Sequence, residues 1–195
     1  MEKFSKQIYN KIIFFSSKKT AWIYLSFISF IESIIFPVPT DIFLAPIIIS
    51  QRSKTIFLIF VTVLFSVLGG ILGYFLGQYL WDLILPSINF IYPNFDEGFN
   101  SFEKNFLQYG WFLVIIGGFT PFPYKIITIS SGILQLDLLM FIVCSILSRG
   151  ARFSFVGFMF FKFGESIKNV LEKYLNLMSI ILITLFILYV YYNFF

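Results

Sequence analysis

The chain has 195 residues, of which 58% are hydrophobic, 22% aromatic and only 12% charged, with a net charge of +4. This composition excludes an ordinary soluble domain and predicts an all-α polytopic membrane protein. The sequence contains no histidine, which removes the commonest general base and metal ligand and argues against zinc hydrolases and Ser-His proteases. We therefore expect no enzyme activity, no metal, no cofactor and no nucleic-acid partner.

The N-terminal residues 1–19 carry lysines between apolar residues at helical spacing. The apolar positions are Phe4, Ile8, Ile12 and Phe15. This pattern predicts an amphipathic helix on the anionic cytoplasmic surface of the membrane. No small-residue cleavage site follows the first apolar run, so we expect a retained membrane segment with a cytoplasmic N-terminus.

The first apolar segment, residues 20–36, ends at a break that contains Pro37 and Pro39. A second apolar arm follows at residues 42–50, and as a helix it would reach roughly 13 Å. That length is far short of the ~30 Å hydrocarbon core. We therefore expect a re-entrant hairpin, with the prolines ending its first helix and the basic residues 51–54 back on the cytoplasmic side.

A long apolar segment at residues 55–80 is predicted to cross the membrane. Its glycines Gly69, Gly73 and Gly77 lie four residues apart, and this spacing favours close helix packing over a functional motif. Residues 81–110 are comparatively polar and contain few basic side chains, so we expect an extracytoplasmic loop.

The same pattern recurs in the second half of the chain. Residues 111–119 are apolar, Pro121 and Pro123 interrupt them, and residues 126–134 form another short apolar arm. This predicts a second hairpin that enters from outside, followed by an inward crossing at residues 138–161.

Hairpin plus crossing helix thus occurs twice, in residues 20–80 and 111–161, with opposite orientation. The sequence predicts one membrane domain built on an inverted repeat, with a site near the membrane midplane. Residues 162–195 are expected to form an amphipathic linker and a last transmembrane helix.

Five charged residues are expected at membrane depth, and they are Glu32, Asp41, Lys125, Arg149 and Arg152. Ionisable groups at that depth are costly, which makes them functional candidates. One interpretation is a buried ion network that only fixes the hairpins together. The other is an anion site with proton coupling.

In the anion-site interpretation, Arg149 and Arg152 share one helix face and bind the anion together with Lys125. Guanidinium groups suit phosphate oxygens because they bind them bidentately. Glu32 and Asp41 would couple the site to protons, because burial opposes their ionised form unless they are paired.

Two polar residues beside the breaks have alternative roles. Thr40 or Asp41 is a candidate cap for the second arm of the first hairpin, and Thr40 is alternatively part of the substrate site. Tyr124 is either a hydrogen-bond donor to the substrate or a packing residue.

These residues resemble a known family. Glu32, the break before Asp41, the stretch 120–125 and the arginines at 149–152 are similar to the DedA family, closest to its YqaA-like branch, within the SNARE-associated Golgi protein or VTT-domain superfamily. The resemblance spans about residues 20–170. It implies two opposed re-entrant hairpins in a bacterial inner membrane, and the movement of phospholipids or polyprenyl phosphates, in some members dependent on proton motive force.

The resemblance also implies site roles. Glu32 and Asp41 match the acidic pair of the family, and Arg149 and Arg152 match its membrane arginines. Lys125 stands where many members have arginine, a departure that replaces a planar fork with a point charge.

We therefore expect a carrier or scramblase of anionic lipid headgroups, with membrane lipids as its partners. A non-catalytic scaffold for membrane homeostasis is the alternative, and an intramembrane lipid-modifying enzyme is disfavoured because no nucleophile and base pair is present. The sequence leaves the lipid, the direction, the coupling ion and homo-oligomerisation open.

Overall fold

The computed structural model describes residues 16–35, 39–91, 109–120 and 122–164. Every regular element in these ranges is helical. The helices are α1 Ala21–Glu32, α2 Asp41–Ser50, a 3-10 turn at Arg52–Lys54, α3 Thr55–Ile91, α4 Tyr109–Phe119, α5 Tyr124–Ile133 and α6 Leu138–Phe163. Residues 1–15 of the predicted N-terminal amphipathic helix, residues 165–195 with the last transmembrane helix, Pro37 and Pro121 lie outside the described residues.

Two of these helices are long and apolar enough to cross a membrane by length and composition. They are the segment Arg52–Pro86 and α6. The described part of the chain is therefore all-helical, as expected for a membrane protein. The remaining helices contain 10 to 12 residues each, too few for a crossing.

Helix α3 is longer than the sequence predicts. We expected a loop from residue 81, yet the helix continues to Ile91 and contains Pro86. Apolar residues such as Leu83 and Ile84 extend the helical surface past Leu80, and the helix continues although Pro86 removes one backbone hydrogen bond and crowds the carbonyl one turn before it. The loop prediction therefore began too early, and its residues 92–108 lie outside the described part.

The first short pair of helices returns to its starting point. Gln51, at the end of α2, donates from Nε2 to the carbonyl oxygens of Ser16 and Lys18 at 2.7 and 2.9 Å, just before α1 begins. The two ends therefore lie side by side, as a hairpin requires.

Helix α3 is the centre of the fold, because α1, α5 and α6 all pack against it. Glycine permits the closest approaches: a methyl group on Gly69 would overlap Phe30 O of α1, and one on Gly77 would overlap Ile129 O of α5. The predicted packing role of these glycines is confirmed.

Two apolar cores lie on either side of the polar middle of the molecule. The first joins α1, α2, α3 and α6, and the second joins α3, α4 and α6 near the end of α5. Buried members of the first include Leu25, Leu44, Ile48, Leu58 and Phe153; those of the second include Tyr74, Val114, Leu136 and Phe141. The charged side chains lie between these cores.

Candidate functional site

The candidate site is built from the break in the first hairpin and the middle of α6. Glu32 is the last residue of α1 and Asp41 is the first residue of α2, so both carboxylates flank the break. Arg149 and Arg152 lie one turn apart on the same face of α6 and are buried, with 2% and 5% exposure. The structure brings these four charges together as two ion pairs.

Arg149 pairs with Glu32, and both N–H positions on the Nε and Nη2 edge of its guanidinium group are bonded. Nη2 donates to Glu32 Oε2 at 2.6 Å, and Nε donates to Ser66 Oγ at 2.8 Å. The guanidinium carbon also lies 4.6 Å from the Tyr124 ring centroid and 4.5 Å from that of Phe153, within the range of cation–π interactions.

Hydroxyl groups on α1 and α3 support this first pair. The Ser33 and Ser66 hydroxyls are 3.0 Å apart, and Ser29 Oγ donates to Thr62 O at 2.8 Å. The sequence interpretation missed Ser66 and its partners. Their four-residue spacing on both helices, otherwise apolar, is the signal that could have identified them.

Arg152 pairs with Asp41 through Nη2. Its Nη1 donates to Thr120 O and, at 3.5 Å, to Phe119 O, so this arginine also contacts the end of α4. Arg152 Nε and Asp41 Oδ1 are both buried, and neither has a hydrogen-bond partner among the described residues. Arg152 therefore connects the first hairpin to the second.

Thr40 takes a different role from the capping role weighed above. It occupies the N-cap position of α2 but makes no side-chain capping bond, so the capping interpretation is wrong. Its hydroxyl instead donates to Glu32 Oε2 at 3.2 Å. In this bond the hydroxyl donates to a charged acceptor, whereas a capping bond would require its oxygen to accept from a backbone N–H.

The second hairpin contributes Tyr124 and Lys125. Tyr124 is 1% exposed, and its hydroxyl has no hydrogen-bond partner within the described ranges, although the equally unpartnered Ser145 hydroxyl approaches it. Lys125 Nζ donates to Ile35 O at 3.0 Å, just beyond the C-terminus of α1. Neither residue contacts the carboxylates, and Lys125 joins the tips of the two hairpins.

The described residues contain no group of three or more histidine, cysteine or carboxylate side chains that could hold a metal ion. The contacts that the structure shows at the site are ion pairs and hydrogen bonds. Two arginines and two carboxylates balance one another, and Lys125 adds a positive charge close to the break.

Comparison with known proteins places the chain among membrane proteins of one family. The VTT domain model matches residues 36–162. The chain is 30% identical to an uncharacterized protein of Haemophilus influenzae over 172 residues, 88% of each chain. It is 35% identical to an uncharacterized protein of Histophilus somni over 149 residues, 76% of this chain and 77% of the relative. No solved structure matches the chain significantly.

The matched region includes Asp41, both arginines, and the second break, and both relatives are bacterial. The two long apolar helices agree with a membrane protein. The protein belongs to the VTT domain family of the DedA and SNARE-associated superfamily, a family associated with membrane lipid transport.

Proposed function

We propose that this protein moves anionic lipid headgroups, those of phospholipids or polyprenyl phosphates, through a site between two re-entrant hairpins. The observation that carries the proposal is the pair of buried arginines, each held by a carboxylate beside a helix break. The proposal includes an inverted repeat in a bacterial inner membrane, a cytoplasmic N-terminus and the YqaA-like branch of the family.

The physical argument starts from the burial of the charges. Arg149 and Arg152 are almost inaccessible, and a buried guanidinium without a partner costs several kcal/mol. An arginine that gives up its carboxylate must therefore receive another anion. A phosphate headgroup supplies that replacement and suits the planar arrangement of N–H donors.

Protonation of the carboxylates provides the switch. A protonated Glu32 or Asp41 no longer neutralises its arginine, so the guanidinium becomes available to the headgroup. Thr40 and Arg149 contact Glu32, and Arg152 contacts Asp41. Around these pairs, Ser66 of α3 and the Tyr124 ring contact Arg149, and Lys125 donates to Ile35 O. This arrangement supports a proton-coupled exchange.

A non-catalytic scaffold is the second candidate function. The observation that favours it is the ion pair, the Ser66 hydrogen bond and the ring contacts around Arg149, which would also stabilise a fold with no transport role. The donor and acceptor atoms of the Arg152 pair that have no partner among the described residues favour a carrier instead. Enzyme activity has no supporting observation, and the family is generally one of non-enzymatic transporters.

Reconstitution into vesicles tests the proposed function. Fluorescent phosphatidylglycerol is placed in both leaflets, and a membrane-impermeant quencher measures the fraction that reaches the outer leaflet with time. We expect the purified protein to accelerate this exchange over protein-free vesicles and to act more weakly on phosphatidylcholine with a zwitterionic headgroup. Exchange no faster than in protein-free vesicles would favour the scaffold.

A further inference from the structure

The two ion pairs differ in how many N–H groups are bonded along one edge of the guanidinium group. Nε and Nη2 form the outer edge of arginine, and a phosphate that binds this edge uses both N–H groups. We propose that Arg152 is the arginine that binds the lipid phosphate, by exchange with Asp41, and that Arg149 and Glu32 form a fixed positioning pair. This inference rests on the proposed function and assigns different roles to two arginines that the sequence treats alike.

The outer edge of Arg149 is occupied at both positions. Ser66 Oγ accepts from Nε at 2.8 Å, and Glu32 accepts from Nη2 at 2.6 Å. Aromatic rings lie close to the group, and Glu32 also accepts from Thr40. A phosphate at Arg149 would have to displace a serine and a carboxylate, so the two hydrogen bonds made at this edge would only replace the two that are lost.

The outer edge of Arg152 is only half occupied. Asp41 accepts from Nη2 alone, while Nε is buried and has no partner in the part of the chain that the structure describes. Asp41 Oδ1 is unpartnered there as well. A bidentate phosphate would satisfy both N–H groups, one more than Asp41 does, and this gain favours the exchange.

The remaining nitrogen of Arg152 explains how the arginine stays in place during the exchange. Nη1 donates to the carbonyl oxygens of Thr120 and Phe119 at the end of α4. The second hairpin therefore holds the guanidinium while the first hairpin supplies the removable carboxylate. Asp41 also has the most exposed side chain of the four, although at 15% it is only slightly more exposed than Glu32 at 12%.

The test compares matched substitutions in purified protein, with phosphatidylglycerol as the anionic probe and phosphatidylcholine as the zwitterionic control. Native mass spectrometry measures lipid binding per folded protein, and thermal unfolding in detergent measures stability. We expect Arg152→Lys to weaken phosphatidylglycerol binding by about tenfold or more, because lysine lacks the fork. Asp41→Asn is expected to strengthen it, because the competing carboxylate is removed.

The positioning pair is expected to respond in the opposite way. Arg149→Lys should lower Tm by roughly 5–10 °C, because it loses the Ser66 bond and the ring contacts, while folded protein still binds phosphatidylglycerol. Ser66→Ala removes one of those bonds and should lower Tm by about 2–4 °C, which keeps the test decisive if Arg149→Lys does not fold. Lys54→Gln, which removes a charge at an exposed position, serves as the control for both measurements.

The outcomes separate this inference from the proposed function. A wild-type protein that binds phosphatidylglycerol no better than phosphatidylcholine would overturn the proposed function, and the anion-exchange role of Arg152 with it. Wild-type binding that Arg149→Lys and Arg152→Lys reduce equally, at equal Tm, would leave the function intact and overturn the division of roles. Stronger binding in Glu32→Gln than in Asp41→Asn would assign the exchange to the other pair.

Discussion

The tips of the two hairpins share a proline-interrupted backbone pattern but supply different chemistry. The first tip carries both carboxylates, Glu32 and Asp41, one on each side of its break. The second tip offers the carbonyl oxygens of Phe119 and Thr120, the ring of Tyr124 and the ammonium group of Lys125.

This difference shows how a repeated backbone can be used asymmetrically. Helix α6 lies against both tips, and its arginines receive charge from the first and neutral acceptors or aromatic faces from the second. In our proposal the first tip therefore acts as the switch, because only its groups can gain a proton and lose charge. The second tip holds the arginines in position.

The comparison requires that the two hairpins open to opposite sides of the membrane, and a labelling experiment gives a yes-or-no answer. Single cysteines at Ser53 and Asp137, in a Cys144→Ser background, lie just after the first and second hairpin, and both positions are exposed. We expect an impermeant maleimide to label position 53 from the cytoplasm and position 137 from outside. Labelling of both from the same side would contradict opposed hairpins.

A larger residue in place of the glycine at the closest contact should prevent each hairpin from packing against α3. Gly69→Val would collide with Phe30 O of the first hairpin, and Gly132→Val with Tyr74 O at the second. We expect each change to cost at least about 3 kcal/mol, seen as loss of monodisperse protein in detergent. Gly150→Ala is the control, since a methyl group there meets no atom within 4 Å, and normal behaviour of the two valine variants would refute the close approach.

The link between the two tips through Lys125 should make a smaller contribution to the free energy of unfolding. Its ammonium group donates to Ile35 O beyond the C-terminus of α1, where a positive charge is favourable. Lys125→Met is expected to lower stability by about 0.5–1.5 kcal/mol. The loss is small because the side chain is only half-buried and solvent weakens its hydrogen bond. Lys125→Arg should retain most of it in the same thermal unfolding measurement, whereas equal loss in both would show that the charge is not responsible.

Substitutions of Tyr124 are expected to have the smallest effect, and they distinguish the contribution of its ring from that of its hydroxyl. Tyr124→Phe keeps the ring beside Arg149 and removes a buried hydroxyl without a partner among described residues, so stability should change by less than about 1 kcal/mol. Tyr124→Leu removes the aromatic face and should cost about 1–2 kcal/mol more. A large loss in the phenylalanine variant would mean that the hydroxyl is bonded.

The sequence revealed the candidate site in outline because charges inside apolar segments are costly and therefore conspicuous. Glu32, Asp41, Arg149 and Arg152 were all identified in this way, and the structure brings them together. Which arginine meets which carboxylate could not be predicted, because it depends on how α6 is rotated against the first hairpin. Periodicity fixes a shared face but not the facing partner.

Other details depend on competition between neighbours in space. Thr40 has the sequence position of a cap, but its hydroxyl donates a hydrogen bond to Glu32 and makes no capping bond. The serines that support Arg149 come from two helices distant in sequence, as Ser33 and Ser66 show. Helix α3 passes through Pro86 because its apolar surface continues, which local breaker signals do not reveal.

The central claim is that a carboxylate of the first hairpin holds Arg152 until it is protonated, and transport at different pH tests this most directly. Protonation removes the charge of Asp41, so exchange of phosphatidylglycerol by wild-type protein in vesicles should accelerate as the pH falls. Arg152, which pairs with Asp41, and the surrounding charged and titratable groups, Glu32 with Arg149, Tyr124 beside Arg149, and Lys125 at Ile35, are present in all variants compared. We predict that Asp41→Asn abolishes this pH dependence while Lys54→Gln retains it. An unchanged acceleration in Asp41→Asn would contradict the account.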